Sequence, residues 1–139
     1  MINSDFVTEA SRQGLVTTSQ RNLDLLRGIC DAFIAAALQL CRHDKLRYTW
    51  MRFLPKTKEH QYDHFWGRLV DMLQTNLRLH PLMLPWSEST FRPIPELYTV
   101  PDKMLDKKGN PLFRDTRVES YLSKNYQRKD LSILDDYGW

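Results

Sequence analysis

Residues 19–42 read SQRNLDLLRGICDAFIAAALQLCR. Leu23, Leu26, Cys30, Phe33, Ala37, Leu38 and Cys41 recur there at three- and four-residue intervals. That spacing stacks side chains along one stripe of an α-helix. Thr18 or Ser19 offers a hydroxyl to cap the first turn. Ile29, Ile34 and Leu40 widen the stripe, so the helix is expected to be covered on more than one side. Gly28 costs about 1 kcal/mol relative to Ala inside such a helix, and its missing side chain would suit a close helix crossing.

A second helix is expected over about Gln61 to Arg78, where Tyr62, Phe65, Trp66, Leu69, Val70, Leu73 and Leu77 repeat the same spacing. Pro81 stops it, having no N–H to donate. The two helices should pack through Leu26, Phe33, Ala37, Phe65, Leu69 and Leu73. Between them, Leu46–Leu54 is rich in aromatics, and its place between two helices favours a short helix or packed turn. After Pro81 the texture changes. Leu82-Met83-Leu84 is expected to pair with Phe91-Arg92 and Glu96–Val100 as a small antiparallel hairpin. Its strands must be short and edge-like, because Pro85, Pro93, Pro95 and Pro101 cannot donate to a ladder. Asp102–Pro111 reads as a turn, Thr116–Tyr126 as a helix, and Asp130–Trp139 as a last small helix. Asp130 would cap that last helix, and Gly138 would close it in the left-handed conformation. The expected fold is mainly α (α+β): two long packed helices, a small β-hairpin and short C-terminal helices.

The 139 residues fit one domain with a modest core. Hydrophobic residues make up 42 %, too many for wholesale disorder. The longest apolar run, Phe33–Leu38, falls far short of the ~18 to 20 residues that span a bilayer, and no secretory leader pattern is visible. Cys30 and Cys41 fall about three turns apart on one helix, too far for a disulfide. A reducing, intracellular compartment, cytoplasmic or nuclear, is the simplest expectation.

Net charge is +3, but it is unevenly spread. Residues 1–41 carry three basic and four acidic side chains. Arg42, Lys45, Arg47, Arg52, Lys56 and Lys58 then follow one another with Asp44 as the single acid among them. With Tyr48, Trp50 and Phe53 interleaved, this segment has the composition of a surface that grips nucleic acid or an acidic partner. The plainer alternative is a solvated face whose aromatics point inward.

Catalytic patterns are weak. His60 and His64 stand four apart, as zinc ligands on one helix face would, but Gln61 occupies the position where a metalloprotease needs Glu. Cys41 and His43 are two apart and diverge on a helix. Asp102, Asp106 and Gly109 lack the alternating acids of a calcium loop and read better as a turn. Asp135 and Asp136 read as solvated charges. Trp50, Trp66, Trp86 and Trp139 read as core or interface anchors. No catalytic residue, metal ligand set or cofactor is expected of the chain.

The order of these segments resembles the sacsin-like family of very large proteins, in its fungal branch. The resemblance is carried by DFVTEASR (Asp5–Arg12), NLDLLRGICDAF (Asn22–Phe33), YTWMRFLP (Tyr48–Pro55) and Phe65-Trp66. It continues through the Pro-rich segment 90–101, a D-x-x-G-x-P-L turn from Asp106, a Y-L-S-x-x-Y unit from Tyr121 and a D-L-x-x-L-x-x-Y-G unit from Asp130. It spans residues 5–139. Those proteins carry an ATPase domain of the gyrase, heat-shock-chaperone and histidine-kinase (GHKL) type followed by long helical regions. That ATP pocket uses an E-x-x-x-N helix, a D-x-G-x-G turn and a Gly-rich lid, and none of the three occurs in this sequence. The resemblance therefore implies a non-catalytic region following the ATPase, with chaperone-type partners: the neighbouring domain or a client protein. Residues 1–17 would be the boundary with that domain, and residues 18–139 one α-rich module. Arg12, the cation of the boundary segment, would link nucleotide state to the first helix. The competing expectation from composition is a small basic module for nucleic acid or an acidic partner.

Overall fold

The computed structural model describes residues 20–60, 64–112 and 119–139. Helix α1 (Gln20–Cys41) keeps the expected stripe, with Leu26, Cys30, Ala37 and Cys41 buried, and Asn22 beside them. Past Cys41, the N–H groups of Arg42 and His43 donate to the carbonyls of Gln39 and Leu40, each at 3.0 Å. This tightens the end of the helix and satisfies carbonyls that would otherwise be orphaned. The expected cap at Thr18 or Ser19 lies outside the described residues. Gly28 is not a crossing point: it is exposed, and a Cβ there would meet nothing within 4 Å among the described residues.

Helix α2 (His64–Asn76) runs into a 3-10 turn, Leu77–Leu79, ahead of Pro81. Phe65, Leu69, Leu73 and Leu77 are buried at four-residue intervals, and α2 packs this row against α1. The Thr75 hydroxyl donates to the Asp71 carbonyl at 2.9 Å, and the Asn76 amide to that of Met72 at 2.8 Å. Residues 61–63, where the sequence places the start of this helix, lie outside the described residues. Five of the six expected core residues are buried. Phe33 is the exception, half-buried at the edge of the interface.

Between the helices the chain turns through residues 42–49 and forms a 3-10 turn, Trp50–Phe53, in which Trp50 and Met51 are buried. Strand β1 (Pro81–Met83) pairs antiparallel with β2 (Arg92–Pro93), Pro81 opposite Pro93 and Met83 opposite Arg92. The Leu82 carbonyl accepts from the Trp50 indole at 3.2 Å and from the Cys41 thiol at 3.4 Å. These two bonds tie β1 to α1 and to the turn. Glu96–Val100 does not join β1 as expected. Ile94–Glu96 is a 3-10 turn, and Tyr98 pairs in parallel with Tyr121.

That pairing also displaces the helix expected over Thr116–Tyr126. Residues 116–118 lie outside the described residues; 119–120 close a 3-10 turn, and Tyr121 and Leu122 are then extended and paired rather than helical. Tyr98 N–H donates to the Ser120 carbonyl at 2.9 Å, Leu122 N–H to that of Tyr98 at 2.8 Å, and Ser123 N–H to that of Leu84 at 3.0 Å. Extended, proline-rich neighbours need backbone partners, and this need overrides a helical preference written in one Tyr-Leu pair.

Asp106 makes the expected turn: its carboxylate accepts from the N–H groups of Lys108 and Asn110, both at 2.8 Å, and Gly109 takes φ +80°. The last helix, α3 (Arg128–Asp136), begins two residues before Asp130, so Asp130 is not its cap. Gly138 closes α3 as expected, at φ +74°. Its N–H donates to Asp135 at 2.8 Å and that of Trp139 to Leu134 at 3.1 Å, the paired bonds of a Schellman motif. Any other residue there would cost about 1–2 kcal/mol in backbone strain. The fold is mainly α with a small two-stranded antiparallel sheet.

Candidate partner-docking face

At about 100° per residue, the apolar positions of α1 from Ala32 round through Ile29, Phe33, Cys30 and Cys41 to Ile34 and Leu38 cover about 240° of the helix. A core-facing helix typically needs a stripe of about 100°. Helix α2, β1 and the Trp50–Phe53 turn cover one side of this arc. On the other, Leu25, Ile29, Phe33 and Leu40 are half-buried, and Ala32 and Ala36 are exposed.

Two hollows follow one another along this uncovered side. Towards the N-terminus, Leu25, Ile29 and Ala32 floor an open depression edged by Arg21 and Asp24. Towards the C-terminus, Phe33, Ala36 and Leu40 face Leu46, Phe53 and Leu54 across a groove of about 480 Å³. Phe53, 60 % exposed, forms the outer part of the far wall, and Trp50, bonded to Leu82, is buried beneath it. His43 closes one end of the groove. Its Nδ1 accepts from the N–H groups of Lys45 at 3.2 Å and Leu46 at 3.3 Å. The neutral ring therefore carries its proton on Nε2, which is left as a donor.

Of the six expected basic residues, two have their charge paired within the fold. Arg42, Lys45, Lys56 and Lys58 are exposed. Arg47 instead bonds Asp44 at 2.8 Å and lies 5.9 Å over the Phe91 ring. Arg52 grips Asp130 through two bonds, Nε to Oδ1 at 2.7 Å and Nη2 to Oδ2 at 2.9 Å. The Asp130 side chain is 3 % exposed. Arg52 is thus part of the fold, joining the inter-helix turn to α3. Of the interleaved aromatics, Trp50 points inward, Tyr48 is half-buried and Phe53 points out. Arg12 lies outside the described residues.

Of the candidate catalytic groups, Cys41 is buried and His64 exposed. Burial pushes the Cys41 thiol up to about 12, although Arg47 opposes the shift. A thiol so held is a poor nucleophile. His60 ends a 3-10 turn and His64 opens α2 as an exposed residue. Among the described residues, no three His, Cys, Asp or Glu side chains cluster as metal ligands. Asp135 and Asp136 are exposed.

One polar cluster has no counterpart in the sequence reading. Glu88, at φ +54°, accepts from Tyr48 Oη at 2.9 Å, Ser123 Oγ at 2.5 Å and Asn125 Nδ2 at 2.5 Å. Partial burial pushes its carboxyl up, but the hydrogen bonds from Ser123, Tyr48 and Asn125 outweigh it and leave the group below the usual range. Nearby, Ser87 and Ser89 donate to Glu119 at 2.5 and 3.0 Å. The sequence signal for both is a Ser-Glu-Ser run after a proline, which marks a polar turn without naming its partners.

No helix among the described residues is long and apolar enough to cross a membrane. No family model, curated protein or solved structure matches the chain.

Proposed function

We propose that this chain is a non-catalytic helical docking module that holds a partner protein on the uncovered side of α1. The observation that carries the reading is the open apolar groove between Phe33, Ala36 and Leu40 on one side and Phe53 on the other. Covering the exposed part of Phe53 alone would contribute about 2 kcal/mol of apolar burial. Such a module fits the place that the sequence motifs suggest, after the ATPase of a sacsin-like protein in an intracellular setting. It would couple nucleotide state to its neighbours or present a client surface, and Arg12 would act at the junction when the ATPase is present. Nucleic-acid binding by the basic segment is the weaker reading, because Arg47 and Arg52 spend their charge on Asp44 and Asp130.

The test is calorimetric titration of the full chain with a sacsin-like ATPase domain and, separately, with single-stranded RNA. Ala36→Glu puts a charge in the groove at an exposed position and should leave stability within about 0.5 kcal/mol. Docking predicts protein binding that Ala36→Glu abolishes and that changes little between about 50 and 200 mM salt. RNA binding that falls steeply over that range, with no protein binding, would overturn the proposal.

A further inference from the structure

Resting on that docking reading, we infer that the occupant of the α1 face is an amphipathic helix of a partner protein, acidic in its first turn and antiparallel to α1. The face is long: α1 has 22 residues and so runs about 33 Å, with the groove on its C-terminal half and the open depression beside it on the N-terminal half. An apolar floor between a helix and a turn accepts the i, i+3/i+4, i+7 side chains of another helix. It offers no row of backbone groups for a strand.

Charge sets the direction. At the C-terminal end, Arg42 and Lys45 are exposed, and neither makes an ion pair among the described residues. The one acid of that turn, Asp44, is already bound to Arg47. His43 adds the Nε2 donor. At the N-terminal end, Asp24 is taken by Arg27 at 3.3 Å and by Gln20 at 2.9 Å, which leaves Arg21 as the one cation there without an ion pair among the described residues. The C-terminal end, with two such cations, therefore draws carboxylates more strongly. A helix best tolerates acids in its own first turn, where they complement the exposed N–H groups and the positive end of the dipole. Laid antiparallel, its first turn meets Arg42, Lys45 and His43, and both demands are met at once. Paired through its own α1, a second copy of this chain supplies no such charge. In the antiparallel sense it brings Arg21, Asp24 and Arg27 to that end, and in the parallel sense Arg42 and Lys45 again.

The experiment uses the full chain and three synthetic amphipathic peptides with the same apolar positions: Glu in the first turn, Glu in the last turn, and Lys in the first turn. Titrations are run on the unmodified chain and on Arg42→Ala with Lys45→Ala. A photo-crosslinking phenylalanine analogue placed at position 36 reports what lies in the groove. The expected result is about tenfold tighter binding of the Glu-first peptide than of the Lys-first peptide, with the Glu-last peptide in between. That preference disappears in the double variant at unchanged thermal midpoint, and position 36 crosslinks to the peptide. Equal affinity for all three peptides would overturn the acidic helix while leaving docking intact. Crosslinks without peptide to residues 1–19, or between copies, would overturn it by assigning the face to the chain's own N-terminus or to a second copy. No crosslink and no binding at about 1 mM of any peptide would overturn both readings.

Discussion

The helix pair of residues 20–79 and the chain after Pro81 share one apolar core but differ in how much long-range polar contact is added to it. In the first region, rows of apolar side chains at helical spacing meet over a broad area: Leu26, Cys30 and Ala37 on α1, and Phe65, Leu69 and Leu73 on α2. In the second, Leu82, Met83, Leu84, Tyr126, Leu134 and Tyr137 join the same apolar core, and short extended pieces and α3 are fixed in place by added polar contacts that reach back into the first region. Asp130 reaches Arg52 across 78 residues, and Tyr137 Oη donates to the Pro55 carbonyl at 2.6 Å across 82. The Trp139 indole donates to the Gln74 carbonyl at 3.0 Å, and the Gln74 amide to that of Tyr137 at 2.6 Å. Area is forgiving of which apolar residue supplies it, whereas a polar contact depends on both partners.

The sharpest challenge to this contrast is Leu73→Ala. Leu73 is fully buried in the helix interface, and truncating it should cost about 3–4 kcal/mol in chemical denaturation. A cost under about 1 kcal/mol would mean that the interface is not the stable base of the molecule. Arg52→Ala comes next. It leaves a carboxylate of 3 % exposure without its cation, and the expected result is a loss smaller than that of Leu73→Ala, because Arg52 is itself 43 % exposed. Arg52→Lys should recover part of that loss, since an ammonium restores the charge but not the two-bond fork. Full recovery would show that charge alone locates α3.

Glu88→Gln has the smallest effect near neutral pH and a distinctive one in acid. The Glu88 carboxyl lies below its ordinary value of 4.5, so the folded chain takes up its proton less readily than the unfolded chain. Its contribution is complete above that ordinary value and drains away as pH falls through the folded one. In melting temperatures followed from pH 6 downwards, Glu88→Gln should shallow the acid limb, with Asp106 and Glu119, also lowered, sustaining what remains. An unaltered limb would reduce the Glu88 cluster to a surface contact.

The same division governs what could be read from the sequence. Periodicity located α1 and α2 and named Leu26, Leu69 and Leu73 as core, because burial of a stripe is a local property of spacing. It overplaced Phe33, since spacing gives the width of an apolar arc but not which part of it another element covers. The turn at Asp106 and the closure at Gly138 were legible because each is satisfied within a few residues. Asp130 was visible as a residue for the start of a helix, but its partner Arg52 lies 78 positions away and no local pattern links them. The extended stretch from Tyr121 was misread for the same reason: its partners, Leu84 and Tyr98, are set by the tertiary fold. Of the docking face, the extra apolar positions Ile29 and Leu40 were evident. The Phe53 wall was not, because spacing within so short an aromatic turn does not tell a buried Trp50 from an exposed Phe53.

The hydrogen bond from Cys41 to Leu82 also gives the molecule a native clock. Thiol reagents attack the thiolate, and with its pKa pushed up to about 12 the folded Cys41 holds almost none at neutral pH. Labelling must then wait until α1 lifts away from β1, so its rate counts those openings. Cys30, on the same stripe and also raised by burial, lies about 16 Å further up the helix. Equal rates at the two sulfurs would mean that α1 detaches as a unit, and unequal rates would show from which end it peels.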